Sequence, residues 1–242
     1  MKSLKIFGVQ IDSADKKTLL ASIEQKGEPI WIVTANPEIL LYAKDDAAYR
    51  DTLNRATYRL VDSFGLEKVC RLKGMNIKRL PGADLAFEFI KHASEYHQGV
   101  ALIGGGDKKS SKPALKRLQA YFPSLRGIAE EGGMISKDGT GDAENDAARV
   151  RIAAINPSVL LVGFGHPKQE RWIERYKQEF PSVKVFIGVG GTFDYWSGLI
   201  SRAPKLMRRL GLEWLYRLIS EPKRWKRIFN AVIIFPCKVL FG

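Results

Sequence analysis

Cysteine is almost missing from this 242-residue chain. Cys70 and Cys237 stand alone, which excludes a disulfide framework and fits a reducing cytoplasm. With three histidines, no HExxH, no Cys/His cluster and no Asp-x-Asp pair, zinc hydrolysis and a divalent-metal clamp have no support. A GxSxG elbow is absent too, and serine-esterase chemistry goes with it. Long apolar runs are also lacking. The longest late one, residues 228–241, is broken by Asn230, Pro236 and Lys238. A helix crossing a bilayer takes about 20 apolar residues, so this segment suits the membrane interface rather than the interior. The opening MKSLKIFGVQID has no apolar core or cleavage signature, so no signal peptide is expected. Acidic residues are short as well: 26 Asp and Glu face 39 Lys and Arg, a net charge of +13.

The remainder is ordinary globular composition, 45% apolar and 27% charged. At this length the chain makes one α/β domain with an appendage, or two small domains. Nearly continuous apolar runs at 30–34 (IWIVT), 100–103 (VALI), 159–162 (VLLV) and 183–187 (VKVFI) read as parallel strands covered on both faces. Residues 4–9 and 58–61 are weaker strand candidates, and 127–130 fits an edge strand. Helical spacing fills 37–53, 65–72, 82–96, 109–122, 142–155 and 168–180, while 135–145 (ISKDGTGDAEN) reads as a polar surface loop. This alternation predicts a Rossmann-like α/β fold, an open and mostly parallel sheet with helices on both faces. After Gly198 only basic helical pattern remains. The expected division is an α/β body over residues 1–200 and a helical, basic appendage over 201–242.

The appendage concentrates the charge. Residues 202–242 hold ten Lys or Arg against two Glu, or +8 of the +13, interleaved with Trp214 and Trp225. Such a segment calls for a negative partner: an anionic membrane surface, a phosphorylated substrate or nucleic acid. Trp214, Leu215, Leu218 and Ile219 fall at helical spacing, as in an interfacial amphipathic helix or a stripe packed on the body. A nucleic-acid-binding α/β protein without transferase activity is the alternative reading, since Trp/Arg interleaving also serves phosphates and stacked bases.

Ligands of open parallel sheets bind at the carboxyl ends of the strands. There the sequence offers Thr34-Ala35-Asn36-Pro37-Glu38, where Asn36 suits a helix cap or a pocket amide. Val61-Asp62-Ser63 offers a carboxylate for a cap or a general base. Gly104-Gly105-Gly106-Asp107 is either a phosphate cradle or a bare turn. Gly163-Phe164-Gly165-His166-Pro167-Lys168-Gln169-Glu170 and Gly188-Val189-Gly190-Gly191-Thr192 join flexible backbone to polar side chains. There Lys168 and Gln169 are placed to hold a nucleotide diphosphate or its base.

These motifs together resemble the WecG/TagA/CpsF family of bacterial glycosyltransferases. The matching pieces run in order over nearly the whole chain: TANPE at 34–38, Asp-x-x-Gly at 62–65, RLPGADL at 79–85 and GFGHPKQE at 163–170. GVGGTFDYWSG at 188–198 and RAPKLMRRLGLEWLYRLISEPKRWKR at 202–227 complete the set. The resemblance implies an inverting, metal-independent transferase without a cofactor. It would move a hexose, N-acetylmannosamine in the teichoic-acid branch, from a UDP-sugar to an undecaprenyl-diphosphate-linked sugar such as GlcNAc. Other branches use the corresponding uronic acid or other hexoses for cell-surface polysaccharides. The enzyme would sit peripherally on the cytoplasmic face of the membrane, with no nucleic-acid partner and with self-association left open.

Residue by residue, the resemblance makes Asp62 the general base with Thr34 and Asn36 beside it. Arg79 meets a diphosphate, while Gln169, Lys168, Gly190 and Gly191 meet the donor. Arg217, Arg224 and Arg227 match arginines that complete the site on the membrane; the appendage is accordingly expected to act as a lid that joins membrane docking to catalysis and is mobile or misplaced in solution. Ser63 departs from the Gly common at its position in the family, a difference next to the base that bears on the acceptor pocket.

Overall fold

The computed structural model describes residues 4–21, 23–24 and 27–241; residues 1–3 of the amino-terminal stretch and residue 242 lie outside them. Six parallel strands form the central sheet: β3 (Ile30–Ala35), β4 (Tyr58–Val61), β5 (Gly99–Gly104), β6 (Arg126–Glu130), β7 (Val159–Gly163) and β8 (Val185–Gly188). They lie in the order β4-β3-β8-β7-β5-β6. Every pairing is parallel, with Ile32 opposite Ile187 and Leu102 opposite Leu161.

Period-two alternation divides the apolar runs between two cores. Trp31, Val33, Leu160, Val162 and Phe186 face one side. There they meet Leu40 of α2 (Pro37–Asp45), Tyr49 of α3 (Ala47–Asn54), Val69 of α4 (Phe64–Leu72) and Trp172 of α8 (Lys168–Tyr176). Ile30, Ile32, Val100, Leu102, Leu161 and Ile187 face the other. Their partners are Leu19 of α1 (Lys16–Ala21), Leu85 and Phe89 of α5 (Gly82–Glu95), Leu118 of α6 (Ser111–Tyr121) and Phe193 of α9 (Thr192–Ser197). Full burial of side chains of this size contributes about 1.5–3 kcal/mol each.

Local chemistry departs from the predicted elements at two places. The stretch 4–9 is a strand pair rather than one strand: β1 (Leu4–Ile6) runs antiparallel to β2 (Val9–Ile11). The turn is made by Phe7 and Gly8, both with positive φ (51° and 79°). A buried Arg59–Asp12 ion pair (2.6 Å) fastens this hairpin to β4. The helical stretch 37–53 is two helices. Asp46 is extended, ends α2, and caps α3 by accepting from the Tyr49 N–H at 2.8 Å. Elsewhere boundaries shift by a few residues, as at the fourth long strand, which begins at Val185. The loop 135–145 closes on itself through an isolated Ile135–Gly141 bridge and runs into α7 (Ala143–Ala154), capped by Asp142.

Beyond Gly198 the chain is helical: α10 (Lys205–Arg209), α11 (Glu213–Ser220), α12 (Trp225–Phe229), a π-helical stretch over residues 230–234 and α13 (Phe235–Phe241). None of α10, α11 or α12 has a buried residue or a side-chain cap. The segment holds to the body by a few contacts. Phe235 is fully buried against Phe7, ring centroids 6.0 Å apart, and Val239 is buried beside it. Arg202 and Arg208 both pair with Asp84 of α5, and Arg79 donates to the Arg208 carbonyl (3.1 Å).

Candidate active site

Adjacent β3 and β8 send the chain to opposite faces of the sheet, β3 into α2 and β8 into α9, and the carboxyl ends of such strands frame a crevice. A cleft of about 780 Å³ opens there, walled on one side by the strand ends and on the other by residues 202–236. The appendage therefore lies over the cleft in a closed arrangement.

Asp62 follows β4 at the cleft floor. Its Oδ1 accepts from the Gly82 N–H at 2.6 Å, the first turn of α5. That approach needs glycine, because a Cβ at Gly82 would lie 2.5 Å from Thr34 Cγ2. The sequence left Asp62 as cap or base; the cap of α4 is instead Ser63, whose Oγ accepts from the Leu66 N–H (3.3 Å). The departure beside Asp62 thus has a structural task. Burial pushes the Asp62 carboxyl above the ordinary aspartate range, and nearby Glu213 adds to this. The Gly82 N–H, Arg217 and Arg79 act in the opposite direction. The result is a carboxylate with raised affinity for a proton, the property asked of a general base.

Thr34 and Asn36 both line the cleft with Asp62. The Thr34 hydroxyl donates to the Gly188 carbonyl at 2.8 Å. Asn36 Oδ1 caps α2 by accepting from the Glu38 and Ile39 N–H groups, so the cap reading of this residue holds and only its NH2 end is left for a ligand. Gln169, Gly190 and Gly191 line the same cleft, whereas Lys168 lies outside its wall. Gly105 and Gly106 also border it, and Lys108 ties their turn to Asp194 of α9 (3.2 Å).

Arg79 borders the cleft from the body, and Arg217, Arg224 and Arg227 reach it from the appendage. Arg217 donates to Glu213 at 3.2 Å and lies over the Tyr195 ring, 5.4 Å from its centroid, and its buried Nε has no hydrogen-bond partner among the described residues. Burial opposes its charge, but Tyr195, Glu213 and Asp62 more than offset this and raise its pKa above the ordinary arginine value. Arg224 pairs with Glu221 at 2.9 Å, and Arg227 pairs with Glu38 of α2. Arg217, Arg224 and Arg227 thus each have a carboxylate companion that sequence reasoning did not single out. Glu213 and Glu221 were legible as i,i+4 and i,i+3 partners. Glu38, 189 residues from Arg227, was not.

A parallel sheet whose strand ends join a half-buried carboxylate to converging guanidinium groups is the layout of a group-transfer enzyme acting on an anionic substrate. The chain belongs to the glycosyl transferase WecG/TagA/CpsF family, whose model matches residues 4–241. It is similar to proteins of Staphylococcus aureus strains MRSA252 and NCTC 8325 / PS 47, each named N-acetylglucosaminyldiphosphoundecaprenol N-acetyl-beta-D-mannosaminyltransferase. In both cases the identity is 35%, over 97% of this chain and 91% of the relative. The enzyme is a glycosyltransferase.

Proposed function

We propose that this enzyme transfers N-acetylmannosamine from its UDP-sugar to GlcNAc carried on undecaprenyl diphosphate, for teichoic acid or a related surface polymer. The carrying observation is the placement of Asp62, a proton-seeking carboxylate on the floor of a cleft whose far wall is arginine. In the proposed step an acceptor hydroxyl gives its proton to Asp62. Its oxygen bonds to the anomeric carbon from the face opposite UDP as the bond to the diphosphate oxygen breaks, which inverts the centre. UDP leaves as an anion. Arg217, Arg224, Arg227 and Arg79 compensate its charge, so the reaction is read as metal-independent. Gln169, Gly190 and Gly191 border the donor, and Thr34 and Asn36 shape the space beside the base.

The proposed workplace is the cytoplasmic face of the membrane. In support, apolar side chains stand exposed among the basic ones of the appendage: Leu206, Leu210, Ile219, Trp225, Phe229 and Phe241. No helix among the described residues is long and apolar enough to cross a membrane.

The test is a panel of UDP-hexoses incubated with enzyme and a GlcNAc-diphospho-lipid. UDP release from UDP-N-acetylmannosamine that depends on the acceptor is expected. Transfer of another hexose would correct the donor, and no transfer from any of them would overturn the reading.

A further inference from the structure

Glu170 takes no part in the chemistry above, yet it is fully buried and forms no ion pair among the described residues. Two donors converge on it. The Tyr49 hydroxyl donates to Oε2 at 2.8 Å, and Gln169 Nε2 donates to Oε1 at 2.7 Å. Gln169 in turn accepts the Gly190 N–H on its own Oε1, at 3.0 Å.

An amide has one donor end and one acceptor end, whereas a carboxylate only accepts. Glu170 therefore receives the NH2 end of Gln169 and leaves the carbonyl end for Gly190. The seat is close: a Cβ at Gly188 would lie 2.7 Å from Gln169 Nε2. Thr34 holds the Gly188 carbonyl and Gln169 the Gly190 N–H, so the turn at 188–191 is pinned at two points. That turn is cleft wall.

We propose that Glu170 is a positioning residue, which fixes the orientation of the Gln169 amide and through it the 188–191 turn against which the donor binds. Tyr49, fully buried in α3, locks the carboxyl in place. Only the last link, donor binding, rests on the transferase reading.

Glu170→Gln in the full chain keeps the shape and breaks the logic. The new NH2 must face either the Gln169 amide or the Tyr49 hydroxyl, and each choice leaves a buried N–H or O–H without an acceptor. Hydrogen exchange at the Gly190 amide should speed up about tenfold relative to the β5 amides. KM for the UDP-sugar should rise about tenfold with much less change in kcat.

The exchanged pair Q169E/E170Q satisfies every group again. The carboxylate at 169 accepts from Gly190 and from the amide at 170, whose carbonyl end accepts the Tyr49 hydroxyl. Gly190 protection should return, while KM stays high because an acid now borders the donor. The proposal is overturned by unchanged Gly190 exchange in E170Q, or by a lowered melting temperature with KM unmoved. It is overturned equally by an exchanged pair that does not restore protection, or folding if E170Q alone does not fold. An inactive wild-type chain would strike the transferase reading, while the exchange comparison would still decide this one.

Discussion

The body and the appendage are held by different physics. In the body, β3, β5, β7 and β8 are buried almost end to end, and α2, α3, α4 and α7 each begin on a side-chain cap. Its polar site residues have partners within the same frame: Asp62 with Gly82, Thr34 with Gly188, Gln169 with Gly190. In the appendage the helices up to Phe229 bury nothing fully. Phe235 and Val239 are its deep anchors, and Arg217, Arg224 and Arg227 are balanced by glutamates at the cleft wall. Surface ion pairs contribute only about 0–1 kcal/mol each, and buried apolar side chains several times that. The proposed base therefore rests on the rigid part and the proposed charge compensation on the part held by fewer buried side chains. On the proposed reading, a membrane that captured the exposed apolar residues would tune catalysis without disturbing the core.

Four experiments can break that contrast. The largest effect is expected from Asp62→Asn, with turnover lower by about 10²–10⁴-fold, read as UDP release. Stability should move little or upward. A carboxyl whose folded pKa is raised stabilises the fold below its unfolded pKa, and that contribution is lost as pH rises through the folded pKa. At pH 7 the asparagine variant has no such penalty and should melt no lower than wild type. A clear fall in melting temperature would make Asp62 a structural residue first.

Next comes Arg217→Ala, expected to lower kcat by about 10²–10³-fold if its guanidinium meets the leaving diphosphate. Arg217→Lys should recover only part, since an ammonium lacks the planar fork. Full recovery by lysine would mean that charge alone matters there.

Phe235→Ala should cost about 3–5 kcal/mol, felt by the appendage rather than the body. Hydrogen exchange across 203–241 should quicken while the amides of β3, β5, β7 and β8 keep their protection. Uniform loss across both regions would erase the distinction drawn here.

The smallest effect concerns pH. Activity that needs ionised Asp62 falls as pH drops through its raised pKa. Because Glu213 pushes that pKa up, Glu213→Gln should move the acid limb of the kcat profile to lower pH. A limb that stays in place, or moves up, would remove Glu213 from the base's surroundings.

Much of the body was legible in the residues. Continuous apolar runs of parallel-strand length gave the sheet, and the motifs at the strand ends gave the cleft's position. The misjudged places share a cause. A turn at Phe7-Gly8 and an extended Asp46 each interrupt a pattern that periodicity alone carries across. Lys168 shows the same limit from another side: its neighbour Gln169 enters the cleft, and a helix turns adjacent residues about 100° apart. Tyr49 was hidden more deeply, since nothing near it in sequence points to Glu170, 121 residues on.

The sequence by itself determined the family, the kind of fold, the candidate base and the basic character of the appendage, because each is written in local composition and order. The tertiary structure alone decided which groups are committed and which are free. Ser63 caps the helix that Asp62 leaves uncapped, Asn36 has only its NH2 end in reserve, and Glu38 reaches Arg227. Hydrogen bonds and ion pairs are settled by distances of about 3 Å between residues far apart in the chain, and no local pattern records them.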